Sequence, residues 1–192
     1  MKEVERCAWC TSDPLYTDYH DEEWGVPVFG AEDLFERLIL EGMQAGLSWL
    51  TVLKKREHMR VRFFGFDRAR LAAASESDVA SWLTDAGLIR HRGKLQAMIE
   101  NARLALEEDD FSSYLWSFAP TARKTLKAIP STTPESEIMS KALKKRGYRF
   151  VGPTICYAFM QSVGMVNDHA QSCWRHEECA KANRELSNSR TL

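Results

Sequence analysis

The segment Lys141-Ala-Leu-Lys-Lys-Arg-Gly-Tyr-Arg-Phe-Val-Gly-Pro-Thr154 joins a basic helix to an apolar one through a tight turn. The first helix ends at Gly147, and five residues on, Gly152-Pro153-Thr154 opens the second. Glycine at each edge lets the backbone turn sharply and present its N–H groups, and a helix N-terminus adds partial positive charge. Together these bind phosphate without reading base sequence. Lys144, Lys145, Arg146 and Arg149 surround the turn, and with Gly147, Gly152 and Thr154 they make a candidate DNA-binding set. The two glycines also read as ordinary caps of two packed helices.

Outward from this hairpin the chain reads as all-α. Before it, Thr133-Pro134-Glu135 orders a cap, an N1 proline and an acid for a helix that runs to Arg146. After it, a helix from near Pro153 ends near Gly164, and Asn167 or Asp168 caps a last one. Leu95, Met98, Ile99, Ala102 and Leu106 follow i, i+3, i+4, i+7 spacing, as do Leu34, Phe35, Leu38, Ile39 and Met43. Ser48 caps a helix on which Leu50, Leu53 and Val61 share a side, and Asp67 and Ser75-x-x-Asp78 announce two more. A short helix covers Ser112–Phe118. The arm before Ala31 reads as loop-like, and residues 183–192 read as a frayed polar tail.

The 192 residues carry 26 Lys+Arg against 27 Asp+Glu, a net charge of −1, with 44% hydrophobic content. That composition excludes a mainly disordered chain or a fibre and fits one unit over 1–192, two small helical lobes sharing a core. With no membrane-length apolar run and no leader-like start, a cytoplasmic location is expected. Charge distribution says more than the total. Lys54–Arg62, Arg90–Lys94 and Lys141–Arg149 concentrate half of the basic residues, as phosphate-gripping faces or as solvated helix ends.

Cys7 and Cys10 form C-x2-C with His20 beyond them, and His169 and Cys173 form H-x3-C followed by His176 and Cys179. Such N and S donors suit tetrahedral zinc, and a site built from both ends of a chain is structural more naturally than catalytic. Spacing alone does not choose four ligands among these seven. Cys156, in an apolar helix, reads as a core residue. Glu41 lies late in another apolar helix, eight residues before Trp49, while Trp9, Tyr16, Tyr19 and Trp24 crowd the N-terminal arm. Aromatic walls with one carboxylate suit a flat cation, and a satellite apolar cluster with an acid at its edge is the alternative.

Tyr19-His-Asp-Glu-Glu-Trp-Gly-Val-Pro27, Leu40-Glu-Gly-Met-Gln-Ala-Gly-Leu-Ser-Trp49 with the residues to Arg56, and Asp85–Lys94 resemble the 3-methyladenine DNA glycosylase I family. So do Cys7-Ala-Trp9, Ser140–Tyr157 and Val166-Asn-Asp-His169, and the similarity runs from about Cys7 to Cys173. The resemblance implies an all-α helix–hairpin–helix glycosylase fold whose N- and C-terminal segments are fastened by one structural zinc. It implies a monofunctional base-excision enzyme that flips 3-methyladenine out of alkylated double-stranded DNA and releases the free base.

It further implies zinc ligands Cys7, His20, His169 and Cys173, leaving Cys10, His176 and Cys179 spare. The base pocket maps to Glu41 as the catalytic acid group with Tyr19 and Trp49, and Trp9, Tyr16 and Trp24 nearby. Residues 43–47 are expected to fill the gap left in the duplex. Thr154 stands where bifunctional relatives carry a lysine, so no Schiff base and no strand cleavage are expected. Asn167 stands where most of the superfamily has an aspartate. The alternative is a zinc-stabilised DNA-binding module without activity.

Overall fold

The structure, a computed structural model, describes residues 4–121 and 129–189, with side chains through Ala182. It is helical, with no strand among the described residues. The helices are α1 (Pro14–Asp18), α2 (Ala31–Gln44), α3 (Trp49–Arg62), α4 (Arg68–Ala72), α5 (Glu76–Thr84), α6 (Arg92–Leu106), α7 (Phe111–Trp116), α8 (Pro134–Lys145), α9 (Pro153–Ser162) and α10 (His176–Ser189). No described helix is long and apolar enough to cross a membrane.

The start signals act as the sequence predicts. Ser48, Asp67, Ser75 and Thr133 each accept a backbone N–H at a helix N-terminus, and Ser75 and Thr133 close reciprocal capping boxes. α2 is the central element. Its apolar stripe is buried from Leu34 to Met43, and it packs against α3, α6, α7 and α9. A second, smaller core holds Cys7, Tyr19, Trp24, Leu53 and Cys173, with Trp9, Tyr16 and Trp49 packed on it.

Four local expectations are corrected. The N-terminal arm is not loop-like: Asp13 caps α1, which runs directly into one π-helical turn, Tyr19–Glu23. Val61 does not share the buried side of α3 but is 78% exposed. Asn167 and Asp168 cap no helix, since α10 begins only at His176. Asp168 instead accepts from the Tyr157 hydroxyl (2.6 Å) and the Gln161 amide (2.8 Å). α10 itself continues to Ser189, through most of the stretch expected to fray, and residues 190–192 lie outside the described chain.

The α8–α9 hairpin forms as read. Gly147, at φ +98°, ends α8 with its N–H on Lys144 O while the Tyr148 N–H bonds Leu143 O, the paired pattern of a Schellman motif. Ser140 on α8 donates to Val151 O (2.6 Å), pinning the far side of the turn. Gly152 then caps α9. A Cβ there would meet nothing within 4 Å, so no neighbour inside the chain requires glycine at this position.

Candidate active site and metal centre

The π-helical turn sets adjacent side chains on two sites. Wide turns of this kind are rare and cluster at functional sites. Tyr19 points toward α2 and α3, where its ring lies 5.2 Å from Trp49, and His20 points the other way.

His20 converges with Cys7, His169 and Cys173, all four buried, with one donor atom from each lying within 4.8 Å of the others. The Cys173 Sγ stands 3.4 Å from His20 Nε2 and 3.5 Å from His169 Nδ1, and the Cys7 Sγ is 3.5 Å from that same Nδ1. A tetrahedral ion with N and S ligands at about 2.0–2.3 Å separates neighbouring ligand atoms by about 3.6 Å, so the spacing fits. The second nitrogen of each imidazole is also held. His20 Nδ1 meets Asp21 Oδ1 at 2.7 Å, and His169 Nε2 meets the Trp24 carbonyl at 3.0 Å. Such outer partners fix ring orientation in metal sites.

Burial, with Cys173 beside it, pushes the Cys7 thiol up to about 12, and burial draws His169 down to about 4. The imidazoles are thus neutral, the form that ligates metal. Asp21 is held down at about 2. Burial alone would raise it, but hydrogen bonds from Arg6, His20 and Trp174 outweigh that. This group can hold a metal ion.

The remaining candidates fall outside it. Cys10 is half-buried and its Sγ faces the Thr11 and Tyr16 carbonyls at 3.7 Å. His176 Nδ1 bonds the His169 carbonyl (2.8 Å) and Cys179 is buried near Gly25. Cys156 is a fully buried core thiol, as expected.

Glu41 is 3% exposed in the last turns of α2. Burial raises its pKa to about 8, against the opposing pull of Arg37 and Ser162. Tyr19 is raised well above its ordinary value by burial and then by the Glu41 charge. Trp49 Nε1 is buried without a hydrogen-bond partner among the described groups, a donor with nothing yet to donate to. Trp9 closes the aromatic cluster, 5.7 Å from Tyr16, 6.4 Å from Tyr19 and 4.9 Å from Trp24. Trp24 in turn meets His169 edge-on at 4.6 Å. One aromatic cluster therefore runs from Trp49 through Tyr19, Trp9 and Trp24 to His169, with Tyr16 against Trp9, and the charge of Glu41 reaches it at Tyr19.

At the hairpin, Lys141, Lys144 and Lys145 are exposed and make no ion pair among the described residues. Arg146 pairs with Glu108 and lies 3.9 Å over the Tyr114 ring, and Arg149 pairs with Glu100 at 3.0 Å. Thr154 is exposed at the start of α9. Of the basic run on α3, Arg56 is held by Glu23, Arg60 by Glu36 and Arg62 by Asp85.

The sequence model described as methyladenine glycosylase matches residues 9–176. The chain belongs to this family. It is 53% identical over 179 residues to DNA-3-methyladenine glycosylase 1 of Escherichia coli (strain K12), covering 88% of this chain and 96% of that one. Its fold matches a crystal structure of 3-methyladenine DNA glycosylase I with TM-score 0.86 at 51% identity, over 90% of this chain and all of the other. A tyrosine-to-phenylalanine variant of such an enzyme, in complex with 3-methyladenine, matches with TM-score 0.82 at 32% identity, over 89% of this chain and 97% of that one.

Three groups around these candidate residues escape the sequence reading. Arg37 lies one turn before Glu41 and pairs with Glu23 at 2.9 Å, so an ion pair underlies the acid. Ser162, at the end of α9, acts on Glu41 from the opposite helix. Asp21 and Arg6 back His20 in the group that can hold a metal ion. The i, i+4 spacing of Arg37 and Glu41 was the available signal for the first; the others need tertiary structure. Asn167 is held on both sides: its amide donates to the His176 carbonyl (2.9 Å) and its oxygen accepts the His169 N–H (3.3 Å).

Proposed function

We propose that the protein is a monofunctional DNA glycosylase that flips 3-methyladenine out of alkylated double-stranded DNA and hydrolyses its N-glycosidic bond. The observation that carries this is Glu41, a carboxyl 3% exposed whose charge acts on the buried Tyr19, the tyrosine ring lying 5.2 Å from Trp49 with its unpartnered indole N–H. In alkylated DNA the 3-methyladenine nucleotide is cationic, and it leaves as a neutral base. Its bond is weak before the protein acts, so catalysis needs extrusion, stacking and charge selection more than a strong base. Trp49 stacks on the extruded ring, Tyr19 orients it, and the Glu41 carboxylate accepts its N–H groups and favours its positive charge. Unmodified adenine lacks that charge and leaves poorly even when it enters. The Thr154 side chain offers no amine, so the sugar is not attacked and the strand stays intact.

Zinc is the ion that the Cys7, His20, His169 and Cys173 set fits, two thiolates and two imidazoles closing all four positions. When bound it supplies structural closure, tying the arm that carries Tyr19 to the segment before α10. The hairpin, with Lys144 and Lys145 and the backbone around Gly152, grips the phosphates. Chromatographic detection of free 3-methyladenine released from methylated duplex, with the strands uncut, tests this reading. Duplex binding without release supports the inactive DNA-binding module instead.

A further inference from the structure

Lys94 and Asn101 are buried polar residues on α6 that take no part in the sites above, and both reach backbone of other elements. Seven residues apart, they lie on one face of the helix two turns from each other. Lys94 is counted by its sequence among basic clusters that face phosphate. The structure turns it inward, 6% exposed, with Nζ donating to Met43 O (2.8 Å) and Ala45 O (2.6 Å). These are carbonyls at the C-terminal end of α2, immediately after Glu41, where a cation meets the negative end of the helix dipole. The turn beyond them, Gly46 to Ser48, is exposed and has Gly46 at φ +79°.

Asn101 holds the hairpin in both directions. Its Nδ2 donates to Arg149 O (3.0 Å) and its Oδ1 accepts the Arg149 N–H (2.9 Å). The next residue, Phe150, has φ +56°, a conformation that costs a non-glycine residue energy and persists only where surroundings enforce it. Phe150 also abuts α2 itself: a Cβ on Gly42 would stand 3.3 Å from the Phe150 Cβ and from its carbonyl oxygen. Between Gly42, Met43, Lys94, Asn101, Arg149 and Phe150 is a cavity of about 10 Å³, near the volume that one water occupies. The base-pocket helix and the phosphate-gripping hairpin therefore meet on α6.

We propose that α6 is a ruler, with Lys94 and Asn101 as positioning residues that hold the Met43–Leu47 turn and the hairpin at one separation, so that both engage a single duplex. Lys94 touches no base and no reacting atom in this role. The inference rests on the function proposed above, since a duplex is what the exposed turn after Glu41 and the hairpin would have to meet together.

The test compares the full chain with its Lys94→Met, Lys94→Gln and Asn101→Leu variants in excision from methylated duplex and in calorimetric binding of free 3-methyladenine. Lys94→Met and Asn101→Leu are expected to lower kcat/KM on duplex about tenfold or more, mainly through KM, while free-base affinity stays within about twofold. Lys94→Gln, which keeps a donor, recovers part of the loss, and amide exchange at Ala45 and Leu47 quickens in Lys94→Met alone. Unchanged excision in these variants overturns the proposal. Equal losses in excision and free-base affinity also overturn it, because Lys94 would then support only the pocket. Should Lys94→Met not fold, the same two measurements on Lys94→Gln decide. If the parent chain releases no 3-methyladenine, the proposed function fails, and affinity for an abasic-site duplex then measures the alignment by itself.

Discussion

Glu41 combines two properties that oppose each other in a folded chain, burial and charge. Its folded pKa of about 8 exceeds the reference 4.5, so its contribution to stability is fully present below about 4.5 and is lost as pH rises through about 8. Glu41→Gln removes that dependence, and chemical denaturation at pH 9 is expected to find the Gln variant more stable than the parent. Activity runs the other way. A cationic base needs the carboxylate, so the parent's kcat/KM on methylated duplex should climb with pH and level off above about 8. A parent profile as flat as that of Glu41→Gln would remove Glu41 from charge recognition. Loss of a charge-assisted hydrogen bond costs about 1.5–3 kcal/mol, so Glu41→Ala should weaken free 3-methyladenine binding by about 10- to 150-fold, with Glu41→Gln costing less. Trp49→Ala should forfeit roughly 1–3 kcal/mol of stacking in the same calorimetric titration. The carboxyl was legible in sequence because an acid late in an apolar helix breaks the pattern. Arg37 was not, since an arginine on a helix reads as a solvent-facing partner until Glu23 is seen to hold it.

Among the elements, the hairpin was the most legible because its ends depend on local chemistry: a glycine at positive φ, a proline at N1, and a capped partner helix. The arm from Asp13 to Trp24 was the least legible. Its aromatics are poor helix fillers, and tertiary packing around the metal ligands and Trp49 overrides that preference to form α1 and the π-helical turn. Basic clusters illustrate the same limit, since counting charge does not show which cations are already paired. On α3 the arginines are held by Glu23, Glu36 and Asp85, which leaves the lysines of α8 as the freer candidates for phosphate contact. Gly152 has open space around a would-be Cβ, so Gly152→Val should fold normally yet keep phosphate from the backbone. Binding to damaged and undamaged duplexes alike is expected to weaken, because phosphate contacts carry no base information, whereas Lys145→Ala should cost no more than one ionic contact. Undiminished binding of undamaged duplex by Gly152→Val, measured at moderate salt, would show that the grip lies elsewhere.

At the scale of the whole molecule, the candidate metal ligands bring residues 7 and 20 to residues 169 and 173, so one cluster closes nearly the entire chain on itself. The adjacency of His20 to Tyr19 makes that closure the anchor of the pocket's own arm, while Trp24 carries packing from His169 back into the aromatic cluster. The ligand types were visible in sequence, but their choice was not, because Cys10, His176 and Cys179 have equally plausible spacings and only packing turns them away. A bound ion that the unfolded chain holds less tightly stabilises the fold by mass action. Cys173→Ser is therefore expected to lose zinc in metal analysis, whereas Cys10→Ser and Cys179→Ala keep one ion per chain. Structural zinc binding is comparable in size to the marginal stability of most domains, and losing even about 3 kcal/mol of it lowers Tm by roughly 6–12 °C in a chain of this size. Excision assayed well below the melting transition should fall by less than stability does, since the four protein ligands leave no open position for substrate or water. Full zinc occupancy in Cys173→Ser would contradict the ligand assignment. Activity abolished at low temperature in a still-folded, metal-free variant would instead give the metal centre a direct part in the chemistry.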